Sequence, residues 1–228
     1  MLETSALYRT LLRDPRAWKE TRVELAGESY GQDRIVSCQT TGALFVGSTL
    51  GVGGCYAGQV DLVLLPYGGT IPTMAQINVY ARLALGDQVS EWLPDGQYFI
   101  DTRSLDGGVL TLHGYDAMLK GEAVYLTEGD VGEWPRPAPQ VVEEICRRMG
   151  VTLDPRTRLN SAYLVEYPND YTMREVLGYI GAAHGGNWII TKEGKLRLVR
   201  LTDLPRETHY LIDEYGDALL FGEVRILV

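Results

Sequence analysis

Apolar and polar residues alternate with a period of two along the first half of the chain. Residues 75–85 show it most cleanly: Ile77, Val79, Ala81 and Leu83 fall on one face and Gln76, Asn78, Tyr80 and Arg82 on the other, as in a half-buried antiparallel strand. Residues 59–65 form a compact apolar run ended by Pro66-Tyr67-Gly68-Gly69. Val23 and Leu25, then Ile35 and Val36, read as a hairpin punctuated by Gly27, Gly31 and Asp33. Residues 89–93 predict a further strand and Pro94-Asp95-Gly96 a turn; residues 97–103 pair with 108–114 across Leu105-Asp106-Gly107. Evenly spaced strands with turn signals between them predict a compact antiparallel β-barrel or sandwich over about residues 20–115.

Past residue 115 the period lengthens. Tyr115-Asp116 opens a brief helical turn, and the three prolines within 128–139 make that stretch a stiff linker. Pro139 starts a helix to about Met149, with Val142, Ile145, Cys146 and Met149 on one face and Gly150 closing it. Residues 151–153 and 163–165 are short strands. Residues 170–200 are the best punctuated. Thr172 and Glu175 have capping-box spacing, Tyr171 and Val176 occupy the positions of a hydrophobic staple, and Met173, Val176, Leu177, Ile180 and Ala183 form one apolar stripe. Gly185-Gly186 then turns the chain into a hairpin of 187–191 and 195–201 around Lys192-Glu193-Gly194.

The two ends stand apart. Leu2, Leu7, Leu11 and Leu12 make a short amphipathic pattern broken at Asp14-Pro15, either a small helix or an arm that docks on a neighbour. The last residues, FGEVRILV, read as a strand that needs a partner. The expected division is an arm over 1–19, a β-barrel over 20–127, an inserted α/β unit over 128–203, and a segment 204–228 that returns to the barrel or opens a second one. The fold class is α+β, mainly β: a tube-type antiparallel β-barrel with an inserted small α/β domain.

Composition narrows the function. A chain of 228 residues, 45% hydrophobic, can bury a real core, and a formal net charge of −9 opposes a phosphate-gripping surface. No apolar run reaches the roughly 18 residues of a spanning helix, and the charged N-terminus is unlike a signal peptide, which points to a cytoplasmic site of synthesis.

Candidate chemistry is thin. Cys38, Cys55 and Cys146 are odd in number and lack CxxC or histidine spacing, so they read as buried thiols, and no cysteine–histidine dyad is evident. Gly51-Val52-Gly53-Gly54 resembles a phosphate loop superficially, without the following Gly-Lys-Ser or Gly-Lys-Thr, and reads as tight packing or a flexible connection. His113 ends a strand, His184 sits in a last helical turn where a cation suits the dipole, and His209 lies in a polar segment without a recognisable partner. Glu143-Glu144 reads as a solvated pair. Trp92, Trp134 and Trp188 suggest either a sugar-stacking platform or, more simply, core and subunit contacts. No residue is assigned as catalytic, cofactor-binding or metal-ligating, and no cofactor is expected.

Four stretches together, QYFIDTR, GVLTLHGYDAMLKG, PQVVEEICRRMGV and YTMREVLGYIGAAHGGNWIITKEGKLRLVRL, resemble the hub proteins at the distal end of phage tails. These are baseplate hubs of contractile tails, tail-tip and tail-associated proteins of siphophages and prophages, and their relatives in secretion spikes. The similarity covers about residues 20–205. Tyr115-Asp116 matches the helix start after a strand pair, while Gly185-Gly186 and Gly194-Lys195-Leu196 match the later glycine pair and hairpin turn.

The resemblance implies a homotrimer of tube-type barrels forming a pseudo-hexameric ring on the tail tube. It also implies a distal tail or tail tube protein and a tape measure protein as partners, and residence in the virion tail after assembly in the bacterial host cytoplasm. DNA would pass through the lumen without sequence-specific binding, and no enzymatic activity is implied. Family members carry two barrels per subunit, whereas this length accommodates one barrel, the insertion and at most the first strand of a second barrel. Two other classes remain in view. One is a tail-associated cell-wall hydrolase, decided by peptidoglycan zymography; the other is a host-surface carbohydrate-binding module, motivated by the tryptophans and 14 tyrosines and decided by a glycan array.

Overall fold

The computed structural model describes residues 4–42, 44–45, 51–65, 70–127 and 132–201, and the backbone of 220–221 and 224–225. Helix α1 (Ala6–Leu11) is capped by the Ser5 hydroxyl, which accepts from the Tyr8 amide. Eight strands follow: β1 (Trp18–Leu25), β2 (Glu28–Tyr30), β3 (Ile35–Thr41), β4 (Gln59–Leu64), β5 (Gln76–Leu85), β6 (Gln88–Val89), β7 (Leu93–Asp106) and β8 (Val109–Tyr115). They form one antiparallel sheet ordered β2-β1-β5-β7-β8-β4-β3, with β6 added to β5, curled into a half-barrel. Among the described residues no ladder joins β2 to β3, so the sheet has two free edges.

Alternation explains the curl. Val23 and Leu25 of β1, Ile77 and Val79 of β5, Tyr98 and Ile100 of β7, Leu110 and Leu112 of β8, and Val60, Leu62 and Leu64 of β4 close on one another as a single apolar core. Their neighbours in sequence occupy the opposite, polar face. Helix α1 covers part of that face with the buried Leu11, against β5, where Ala84 is fully buried.

Several sequence expectations are corrected in the sheet. Residues 89–93 form no strand of their own, since β6 ends at Val89 and β7 begins at Leu93. β1 turns at Ala26-Gly27 into the short β2, whereas Ile35 opens a separate strand that pairs with β4. Pro94-Asp95-Gly96 lies inside β7 and makes no turn: Pro94 faces Tyr80 and Gly96 faces Val79, so Asp95 is the extra residue of a bulge. The β7–β8 hairpin forms as expected, but Leu105 and Asp106 pair with Leu110 and Val109 inside it, so the turn is Gly107-Gly108 and not Leu105-Asp106-Gly107. Residues 101–106 run beyond the end of β5, so that half of β7 is paired only with β8 and stands out as an arm, with Leu105 58% exposed at its tip.

A second core lies beside the sheet. The Asp116 side chain caps a 3₁₀ turn (Ala117–Glu122) by accepting from the Met118 amide. Strand β9 (Arg136–Pro137) leads into α2 (Ala138–Met149), which buries Val141, Val142, Ile145, Cys146 and Met149 and ends at Gly150. Strand β10 (Leu164–Val165) pairs with β9, so the proline stretch ends in a short ladder; residues 128–131 of that stretch lie outside the described residues.

Helix α3 (Met173–Ala183) starts on the full capping box of Thr172 and Glu175, then β11 (Gly186–Ile190) and β12 (Leu196–Arg200) form the expected hairpin. The Tyr171 ring, placed by its sequence position to staple Val176, lies 5.3 Å from that of Tyr179. Cys55, Met118, Tyr125 and Leu126 join α2, α3, Trp188, Leu196 and Leu198 in this core. Of the terminal segment, β13 (Leu220–Phe221) and β14 (Val224–Arg225) pair with each other. The rest of it, including His209, lies outside the described residues.

Candidate assembly surface and inter-unit seam

The free edges are unequal. β2 has three residues and begins with a glutamate. β3 has seven, IVSCQTT, with neither charge nor proline, and Val36 is 58% exposed. Edge strands in soluble proteins are ordinarily guarded by lysine, proline, brevity or a bulge; β3 has only the last, a register shift between Ile35 and Ser37, and Ser37 to Thr41 then pair regularly with β4.

The polar face beside the core is built from paired charges. Glu20 of β1 lies opposite Arg82 of β5 and binds it at 2.7 Å. Arg22 lies 4.7 Å from the Tyr80 ring centre, and the Trp92 ring is 4.9 Å from the Arg22 guanidinium and 4.5 Å from that of Arg82. Further along the sheet His113 Nδ1 meets Asp61 Oδ1 at 2.8 Å and the histidine ring stands edge-on to Tyr115.

Asp95, pushed out by its bulge, forms a joint between the sheet and the second unit. Its side chain is only 8% exposed, receives Lys19 Nζ of β1 at 2.7 Å, and is also bound by Lys192 from the β11–β12 turn. Burial alone would raise its pKa; the two lysines outweigh burial and hold it below the usual carboxylate range. Asp116 sits across the same cleft, which has a volume of about 520 Å³. Among the described residues it makes no ion pair, Arg174 acting only at a distance: the Gly58 amide donates to one oxygen at 2.6 Å and the Met118 amide to the other at 2.9 Å. Here burial wins, and the carboxyl is pushed up to about 6.

The sign of the Asp116 effect follows. The folded pKa exceeds the unfolded value, so the folded state holds a proton that the unfolded state has released. Stability from this group is complete below about pH 4 and lost as pH rises through about 6. A carbon-detected titration of the Asp116 carboxyl should show a midpoint near 6. A midpoint in the ordinary carboxylate range, about 4, would contradict this account of its burial.

The glycine loop serves packing. Its Gly53 amide donates to Gly186 O at 2.9 Å, and Trp188 donates its own amide to Gly54 O at 2.7 Å. Gly53 (φ +82°) lies so close to α3 that a Cβ there would stand 2.8 Å from the Gly178 carbonyl. Asn187, 1% exposed, completes the attachment with three hydrogen bonds to Leu44, Gly51 and Gly54. The donors that a phosphate would need at Gly53 and Gly54 are already spent. At the end of α3 the paired glycines act differently: Gly185 holds φ +67°, while a Cβ on Gly186 would lie 2.6 Å from Val199 O.

The remaining sequence candidates are not brought together. Burial pushes the thiols of Cys38 and Cys146 up to about 11 and that of Cys55 up to about 12, and Cys55 Sγ donates to Arg174 O at 3.4 Å. Such thiols are poor nucleophiles. His184 is structural, as its place in the last helical turn suggests: it is the C-cap of α3, its Nδ1 lies 2.7 Å from Ile180 O, and its Nε2 accepts from the Asn160 amide at 2.9 Å.

Glu144 is corrected from a solvated residue. Its side chain, 17% exposed, binds Arg136, Arg148 and the Tyr125 hydroxyl; burial pushes its pKa up, and these partners pull it further down. The tryptophans form no platform. Trp188 is wholly buried, Trp92 lies on the polar sheet face, and Trp134 packs edge-on to Tyr125 and Tyr167. Among the described residues no group of three or more His, Cys, Asp or Glu side chains is placed to hold a metal. No helix among them is long and apolar enough to cross a membrane.

A mainly β chain with a curled antiparallel sheet, an exposed arm and a small α/β unit at its side defines the class. The solved structure of the prophage MuSo2 43 kDa tail protein from Shewanella oneidensis has this fold. It matches over 88% of this chain and 60% of that one, with a TM-score of 0.52 at 15% identity. The tail protein from Neisseria meningitidis MC58 and prophage tail protein gp18 from Listeria monocytogenes EGD-e overlap more loosely, each with a TM-score of 0.46. Their identities are 12% and 9%, over 79% and 87% of this chain and 51% and 56% of theirs. The chain therefore has a phage-tail fold, as the resemblance implied, and spans 60% of the length of the Shewanella protein. No protein-family model matches it, and no curated protein does.

Proposed function

We propose that the chain is a non-enzymatic structural subunit of a phage or prophage tail tip or baseplate hub, whose copies join edge to edge into a ring between the tail tube and the distal tip. The observation that carries this reading is the seven-residue edge of β3, uncharged and without a second partner strand among the described residues, on a curled sheet. A β3 edge on one copy and a different edge on the next make a head-to-tail contact, and such contacts close into rings when the rotation permits. In this reading the ring is a homotrimer, the arm of β7 and β8 reaches a neighbouring subunit, and the distal tail or tube protein and the tape measure protein are its partners in the virion tail.

The reading divides the chain into a sheet domain over 20–127 and an α/β domain over 128–203 that braces adjacent subunits from outside. Residues 204–228 then return to the sheet or open a second barrel. The polar face lines the channel. Its arginines are paired with glutamates and stacked on aromatic rings, and the chain carries a net charge of −9, so passing DNA finds little to hold.

The test is the mass of the full chain in solution, alone and with its tail tube protein. The wild type should form a closed oligomer. The double variant Ser37→Lys, Gln39→Lys, which charges the exposed β3 edge, should stay monomeric while losing no more than about 0.5 kcal/mol of stability. A wild type that remains monomeric at high concentration and with the tube protein present overturns the ring.

A further inference from the structure

The α/β unit carries an exposed aromatic cleft floored by Val176 and Ile180 of its core. Tyr163, Tyr167, Tyr171 and Tyr179 are 37%, 51%, 42% and 57% exposed, and they border a cleft of about 350 Å³ together with Leu164 and Glu166. The cleft lies where β10 meets the outer side of α3. Its rings are already positioned: Tyr171 and Tyr179 lie 5.3 Å apart at 44°, Tyr163 stands edge-on to His184, and Tyr167 edge-on to Trp134. Aromatic side chains held in place with their surfaces open favour binding, because little rotamer freedom is lost when a partner arrives.

Charge selects the partner. Between residues 159 and 191 the only lysine or arginine is Arg174, whose guanidinium is turned away to Cys55 O and Glu122. The same stretch carries Glu166, Asp170 and Glu175. Among the described residues Glu166 is the only charged side chain lining the cleft. Electron-rich ring faces with a carboxylate beside them, and no competing cation, complement a positive group.

We propose that this cleft is a docking site for an arginine-bearing segment of a partner protein, the guanidinium lying against the tyrosine rings and pairing with Glu166. Arginine suits it better than lysine because a planar, weakly hydrated cation both stacks and pairs. The proposal uses no residue of the β3 edge or of the β7–β8 arm, so it stands whether or not copies join edge to edge.

The test is an NMR titration of the full chain with three short peptides in which glycine alternates with arginine, lysine or glutamate, and with a chitooligosaccharide. The arginine peptide should shift the ring signals of the four tyrosines, weaken with added salt, and lose about tenfold in affinity in Tyr179→Ala and in Glu166→Gln. Both residues are exposed, so the variants should fold, and unchanged sheet-core signals verify it. Equal response to the glutamate peptide, or affinity unaltered in both variants, overturns the proposal. Shifts of the same rings by the chitooligosaccharide and not by the arginine peptide also overturn it, and assign the cleft to a glycan.

Discussion

Trp188→Ala should cost about 3–5 kcal/mol of unfolding free energy. Trp188 is wholly buried at the centre of the second core, and its indole N–H donates to Leu177 O at 2.6 Å. The packing around it cannot collapse inward cheaply. A Cβ on Gly181 would stand 2.9 Å from the indole nitrogen, so α3 already lies against the ring. The truncation therefore leaves a cavity beneath a helix that is also tied to the Gly53 loop. Trp188→Phe keeps most of the apolar volume and loses the N–H donor, so it should cost less, about 1–2 kcal/mol. Urea denaturation measures both, and a loss under about 1 kcal/mol for alanine would show that the second core is not built around this ring. Hydrogen exchange on the same variant tests the division into two units, because the sheet has its own core. Sheet amides should keep their protection while those of α3 and β11 lose theirs. Equal loss in both would make the chain one cooperative body.

What could be read beforehand was local, and what could not was not. The start of α3 is specified within four residues, Thr172 to Glu175, and the hydroxyl and carboxylate bind the amides that their spacing implies. The faces of β5 follow from alternation alone. Asp95 is illegible locally because Pro-Asp-Gly is a good turn signal, and only the strand opposite turns it into a bulge. Its lysines come from 76 and 97 residues away, so no window of sequence contains the joint. Glu144 failed in the same way. Two of its partners, Tyr125 and Arg136, reach it only when the proline stretch folds back on α2. The tyrosine cleft left a clearer trace, four tyrosines within seventeen residues and almost no basic ones, yet its exposure depends on which side of α3 the core claims.

Asn187→Leu should cost about 2–4 kcal/mol, more than its polarity in a β-strand would suggest. The amide works in both directions. Oδ1 accepts from the Gly54 amide at 2.8 Å, while Nδ2 donates to Leu44 O at 2.9 Å and Gly51 O at 2.8 Å. Leucine fills a similar volume and leaves all three backbone groups without this partner. Each costs about 1–3 kcal/mol if it stays buried, and the total falls below the sum because Gly51 is exposed and can recover water. Asn187→Asp separates the two roles. It preserves the acceptor for Gly54 but sets a carboxylate oxygen against two carbonyls in a nearly dry site, so it should destabilise at least as much as leucine at neutral pH and recover in acid. In both variants the loop that carries Gly53 and Gly54 should come away from β11, read as faster exchange of the Gly53 and Trp188 amides, whose acceptors are Gly186 O and Gly54 O. If leucine is tolerated within about 0.5 kcal/mol and those amides stay protected, the backbone bonds between the loop and β11, with the Gly53 contact on α3, hold the loop, and Asn187 is a passenger in it.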